Sequence, residues 1–153
     1  MADLFPALAL GDCLDESQAM VIPFKTAETI TKGQLVKVST HVAGELGSIT
    51  VAAAGDKAHG VALKSGAVGD VIPVALSGAV KVTASGNILV SSPVKSGTAG
   101  VAVAALATVT IPSGSVAVTS DAAQPTMTVE SGVACGIALQ GFANGDTGLI
   151  LLK

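Results

Sequence analysis

Aromatic side chains are almost missing from this sequence: there is no Trp, no Tyr, and Phe only at Phe5, Phe24 and Phe142. A site that stacks sugar rings or bases on aromatic platforms has little to build with. Charge is scarce too. Asp, Glu, Lys and Arg make up 12% of the 153 residues, about half the ~25% usual for soluble domains. The net charge is −3 and the 8 basic residues are scattered, so no basic stripe exists and nucleic acid is not expected as a direct partner. Long apolar runs are absent as well. Gly, Ser, Thr and Lys interrupt every stretch before it reaches the ~20 residues of a membrane helix, so no membrane partner is expected. The first residues carry Asp3 and Pro6 where a secretory leader wants basic and uninterrupted apolar segments, and a protein made and used without such export is expected.

The chemistry-bearing residues are few. Cys13 and Cys135 show no metal spacing; they are read as buried thiols that could pair only if the fold brought them together. His41 lies in a turn-like stretch and His59 in a strand-like one, neither beside a nucleophile motif, and no Gly-x-Ser-x-Gly elbow occurs. Gly-rich stretches such as 96–100 lack the Lys-Ser/Thr ending of a phosphate loop. Asp12, Asp15 and Glu16 form an acidic cluster that reads as a solvated surface, lacking companions at cation-loop spacing. No catalytic, metal or cofactor-binding residue is assigned, and a non-enzymatic role is expected.

What remains is half hydrophobic. A 14.8 kDa chain suffices for one domain, whose core must be built from Val, Ala, Leu and Ile. So little charge leaves apolar surface to be buried against a partner. Short apolar alternations punctuated by Gly, Asp, Asn, Ser and Pro predict an all-β domain. Strands are expected at 34–39, 49–53, 60–63, 71–76, 79–83, 88–90, 101–111, 115–119, 126–129, 136–139 and 148–152. Turns are expected at Ser85-Gly86-Asn87 and Pro112-Ser113-Gly114, and a short helical turn at 12–20. Residues 1–22 read as an extended N-terminal arm and 23–153 as a single β-domain.

Sliding the chain against itself exposes a repeat. Residues 58–76 align with 134–152 without a gap, eight of nineteen positions being identical. The unit is a strand (Gly-Val-Ala-Leu or Gly-Ile-Ala-Leu), a loop ending in Gly69-Asp70 or Gly145-Asp146, and a returning strand. Gly60 and Gly136, inside strand patterns, mark a bulge or a close backbone approach. Two copies predict a pseudo-symmetric small barrel or sandwich rather than a solenoid.

The segment 30–94 resembles the capsid decoration, or cement, proteins of tailed bacteriophages. The resemblance is carried by Thr31-Lys-Gly-Gln-Leu-Val-Lys-Val38, by Ala54-Gly-Asp-Lys-Ala-His-Gly-Val-Ala-Leu63 and by Gly69-Asp-Val-Ile-Pro-Val-Ala-Leu76 continuing to Val82; 136–152 repeats the closing pattern. Residues 96–124 and the N-terminal segment depart from it. The resemblance implies a structural protein of the virion, made in the host cytoplasm, that binds the major capsid protein on the outer capsid surface. It implies homotrimers that bridge neighbouring capsomers and stabilise the shell. Leu4, Phe5, Leu8 and Leu10 are then anchors of a clasping arm, or else they cover the domain of their own chain. The competing reading is a self-assembling fibre, pilus or surface-layer subunit.

Overall fold

The computed structural model describes residues 9–13, 19–40, 46–110, 126–130 and 132–153. The protein is all-β, with one 3-10 turn at Thr98–Gly100. Among the described residues no helix is long and apolar enough to cross a membrane. The strands are β1 (Met20–Lys25), β2 (Leu35–Thr40), β3 (Ser48–Val51), β4 (Gly60–Ala62), β5 (Val71–Thr83) and β6 (Pro93–Ser96). They continue with β7 (Ala102–Ala104), β8 (Leu106–Thr110), β9 (Thr126–Glu130), β10 (Gly136–Ala138) and β11 (Thr147–Leu152). Nine form one sheet in the order β3-β2-β4-β5-β11-β10-β6-β7, with β1 also on β5, while β8 and β9 form a separate ribbon. All strand pairs are antiparallel. The sheet curls toward a barrel, since parallel bridges join Thr26 to Ile49 and Ala84 to Ala102.

The repeat extends over the whole sheet. A first unit (β1, β2, β3, β4 and the start of β5) and a second (the end of β5, then β6, β7, β10, β11) share topology and register. Phe24 pairs with Ile72 and Ile22 with Val74 in the first; Val82 pairs with Gly148 and Val80 with Ile150 in the second. The loops match bond for bond: Ile30 and Gly66 exchange backbone hydrogen bonds, as do Ile88 and Phe142, each at 2.9 Å. The leading half of the unit recurs 58 residues on, conserving Ile30 as Ile88, Val36 as Val94 and Lys37 as Lys95. Its trailing half recurs at 76. The offset first falls to 53 between β3 and β7, because the β6–β7 connection is shorter than the β2–β3 one, and then rises to 76 because residues 105–135, carrying the β8–β9 ribbon, replace the short link 52–59.

One turn is used repeatedly. In Ala9-Leu-Gly-Asp12, Ala53-Ala-Gly-Asp56, Ala67-Val-Gly-Asp70 and Ala143-Asn-Gly-Asp146 the Asp amide donates to the carbonyl three residues back at 3.0–3.1 Å, with φ of +72 to +89 at the Gly. This is a type II turn, which needs positive φ at its third residue. In the first three the Asp side chain also accepts from the opening amide, at 3.0, 2.9 and 2.8 Å. The same turn at Leu89–Ser92 holds the non-glycine Ser91 at φ +64, where the first unit has Gly33 at +86.

The cores are made of small pieces, as the composition requires. Phe24, Ile30, Val36, Ile49, Ala62, Ile72 and Val74 fill the first unit. Their counterparts Val82, Ile88, Val94, Ala102, Ala138 and Ile150 fill the second, where Phe142 also lies. The two units solve one packing problem in opposite ways. A Cβ on Gly66 would press into Ile72, and a Cβ on Gly148 would press into the ring of Phe142. Position 66 corresponds to 142 and 72 to 148, so small-against-large in one unit is large-against-small in the other.

Several expectations are corrected by the structure. The strands expected at 71–76 and 79–83 are one strand, because Gly78 takes φ +110 and carries the chain through without a turn. Residues 88–90 form no strand, only the Ile88–Phe142 bridge and the start of a turn. The span 101–111 divides into β7 and β8 around Ala105. Met20–Ile22, assigned to the arm, belong to β1, and Pro93–Ser96 is a strand the sequence pattern did not mark. Cys13 is bridged to Val80, and residues 14–18 of the helical turn expected at 12–20 lie outside the described residues. Gly60 and Gly136 are close approaches as anticipated: a Cβ there would strike the carbonyl oxygens of Ala75 and Leu151. The strand at 115–119 and the turn at Pro112-Ser113-Gly114 lie outside the described residues.

The reciprocal packing gives a test. Phe142→Ala is expected to cost about 3–5 kcal/mol. Phe142→Gly and Gly148→Ile should each destabilise alone, while the double variant, which installs the first unit's pairing, should recover part of the sum. Urea unfolding of the four proteins measures that coupling.

Candidate interaction surfaces

The residues that could carry chemistry are tied into the fold. His59 is exposed, and its Nδ1 accepts from the amide of Val38 at 3.2 Å. At the equivalent place in the second unit Cys135 is buried and its Sγ donates to the carbonyl of Val94 at 3.3 Å. Burial pushes this thiol up to about 11, so it is protonated and unreactive at neutral pH. Cys13 is also buried and neither cysteine is in a disulfide. Among the described residues no three His, Cys, Asp or Glu gather as a metal site. His41, Asp15 and Glu16 lie outside the described residues.

Asp12 is not a free surface acid. Its Oδ1 accepts from Lys32 Nζ at 2.5 Å and its Oδ2 from the Ala9 amide at 3.0 Å. The Lys32 hydrogen bond, ahead of the Ala9 amide and nearby lysine charge, holds its carboxyl below the ordinary value of 3.8, against a smaller opposing effect of burial. Around it, residues 9–13 dock as an added strand. Gly11 N–H donates to the Lys81 carbonyl at 2.7 Å and Lys81 N–H to the Asp12 carbonyl at 3.1 Å. Leu10 packs against Gly33, where a Cβ would collide with its side chain. Of the four proposed anchors, Leu10 touches Gly33 of its own chain, while Leu4, Phe5 and Leu8 lie outside the described residues. A groove of about 590 Å³ beside this strand is lined by Gly11, Asp12, Val21, Lys32, Lys64 and Pro73, among others.

One corner of the second unit exposes Leu89 (71%), Val90 (61%) and Leu139 (43%), where the first unit has Thr31, Lys32 and Leu63. In the β8–β9 ribbon Ala107 pairs with Val129, Thr108 with Thr128, Val109 with Met127 and Thr110 with Thr126. No sequence signal pointed to these surfaces, because they emerge only when the two units are superposed position by position.

No family model and no curated protein matches the chain. Among solved structures it is similar to the N base of the head fiber gp8.5 of bacteriophage phi29. The TM-score is 0.58 at 18% identity, covering 89% of this chain and 95% of that one. At that identity the likeness establishes a common fold over nearly the full length of both.

The Asp12 clamp predicts a pH-dependent edge. A carboxyl whose folded pKa is depressed stabilises above its unfolded value and loses that contribution as pH falls through the folded one. The protection of the Gly11 and Lys81 amides, taken relative to intrinsic exchange at each pH, should therefore be high at neutral pH and fall below about pH 4. Asp12→Asn should show the lower protection already at neutral pH. Unchanged protection in both experiments would remove Asp12 from the docking of this strand.

Proposed function

We propose that this chain is a non-enzymatic structural protein of a tailed-phage virion, seated on the outer surface of the capsid. The observation that carries the proposal is the full-length likeness to the base of a head fiber. The sparse charge, the exposed leucines of the second unit and the motifs shared with decoration proteins support it. In this reading the chain binds the major capsid protein as a homotrimer, bridges neighbouring capsomers and stabilises the shell, without contacting nucleic acid or membrane. Several modest apolar contacts made at once give a tight attachment, since each after the first is effectively intramolecular.

A second reading follows from the neighbour being the base of a head fiber. A head fiber base carries a projection, so this fold could serve as the foot of a fibre rather than as a rivet between capsomers. The two differ in what lies beyond the shell surface, not in the attachment.

Co-sedimentation of the purified protein with capsid shells tests the attachment. Saturable binding in a fixed ratio to capsid subunits, with shells more resistant to heat or low salt, is the outcome expected of a decoration protein. Binding that leaves shell stability unchanged supports the fibre foot, and filaments formed by the protein alone, without binding, would overturn both.

A further inference from the structure

The two units share one sheet face that is treated differently in each. In the first, Leu35, Val61 and Ala75 form a row across β2, β4 and β5. Each is 0% exposed and belongs to the same apolar cluster as the second unit's core. At the equivalent positions the second unit carries Pro93, Ile137 and Leu151, a row across β6, β10 and β11. Here Leu151 is 38% exposed, and Pro93 and Ile137 are only half-buried. The row has no charged member. It is continued by Leu139, two residues along the strand direction from Ile137, and by Leu89 in the adjoining turn, both exposed.

We propose that the Pro93–Ile137–Leu151 row is a contact between copies of this chain. The protein itself supplies the template, because the corresponding row is buried in every molecule, against another unit of the same fold and the same small apolar composition. Two of the three substitutions run in the direction an intermolecular contact needs, Leu35 to Pro93 being the exception. Ala75 and Val61 are small where two covalently joined units approach closely. Leu151 and Ile137 are larger, giving more apolar area to a contact that must also offset the entropy of association. The three members of the row carry no charge, so it can be buried on a neighbouring copy without stranding one within it, and a head-to-tail contact of the kind this template implies closes into a ring, as the homotrimer requires.

This contact specifies the oligomer named in the proposed function, and it is tested on the full chain by light scattering over a concentration series. The wild type should run as a small closed oligomer. Leu151→Glu should shift it to the monomer with the far-ultraviolet circular dichroism unchanged. Should that variant unfold, Leu151→Ala, which installs the first unit's residue, should still weaken association about tenfold. An oligomer indifferent to whichever variant folds overturns the inference. Shell binding on the same samples separates the two readings. A monomeric wild type that binds shells overturns this contact alone, and an oligomer sensitive to Leu151 that ignores shells overturns the virion role alone.

Discussion

Strand β5 hydrogen-bonds along both edges for nearly its whole length, and every other part of the main sheet hangs from it. Its first half holds β1 on one side and β4 on the other. Its second half holds β11 and, on the opposite edge, residues 11–13. This is possible because one residue, Gly78, adopts φ +110, a conformation that costs glycine little and other residues much. The strand can thus leave the curl of one unit and enter that of the next without ending. Duplication has therefore not produced two domains in tandem. The last strand of the first unit is continuous with the first strand of the second, and the outer face of one unit lies in the core of the other.

With so few charged groups, their placement is economical. Aspartates close the repeated type II turns, and two ion pairs among the described residues, Lys32–Asp12 and Lys37–Asp56, fasten loops to strands rather than decorate open surface. Ion pairs with side chains about one-third exposed add little stability by themselves. Their use here is positional. Asp12 holds the added strand over Gly33, and Asp56 both accepts from Lys37 and closes its own turn. The first unit thus has a polar, covered corner and the second an apolar, open one, on the same arrangement of backbone.

Much of the fold was legible in the sequence, and the failures have physical causes. β2, β3, β4, β9, β10 and β11 were marked by alternation and Gly-Asp punctuation. Strand β6 was not, because Pro93 opens it. Proline is tolerated there: its ring has no amide to lose, and its carbonyl still accepts from Ala105 at 2.7 Å. Pro23 and Pro73, paired directly across β1 and β5, hid β1 in the same way. The repeat was legible only in its trailing half, since a shorter β6–β7 connection and the inserted ribbon together change the offset from 58 to 76 and a single slide finds one or the other. The reciprocal exchange of Gly66 and Ile72 for Phe142 and Gly148 further blurs identity where packing is best preserved. Of the interaction surfaces, only the scarcity of charge could be read in advance. Which apolar residues are left uncovered depends on which unit covers which.

The routing of the chain along β5 also fixes how the molecule responds to force. Residues 11–13 and β11 flank the same half of β5, both antiparallel to it, and they lead away toward opposite ends of the strand. Tension between the Ala9 end and the Lys153 end would pull the two ladders along their length in opposite directions. The bonds then share the load in shear instead of opening one after another. An attachment built this way resists being peeled, a mechanical property set by strand direction alone and independent of how strong any single contact is.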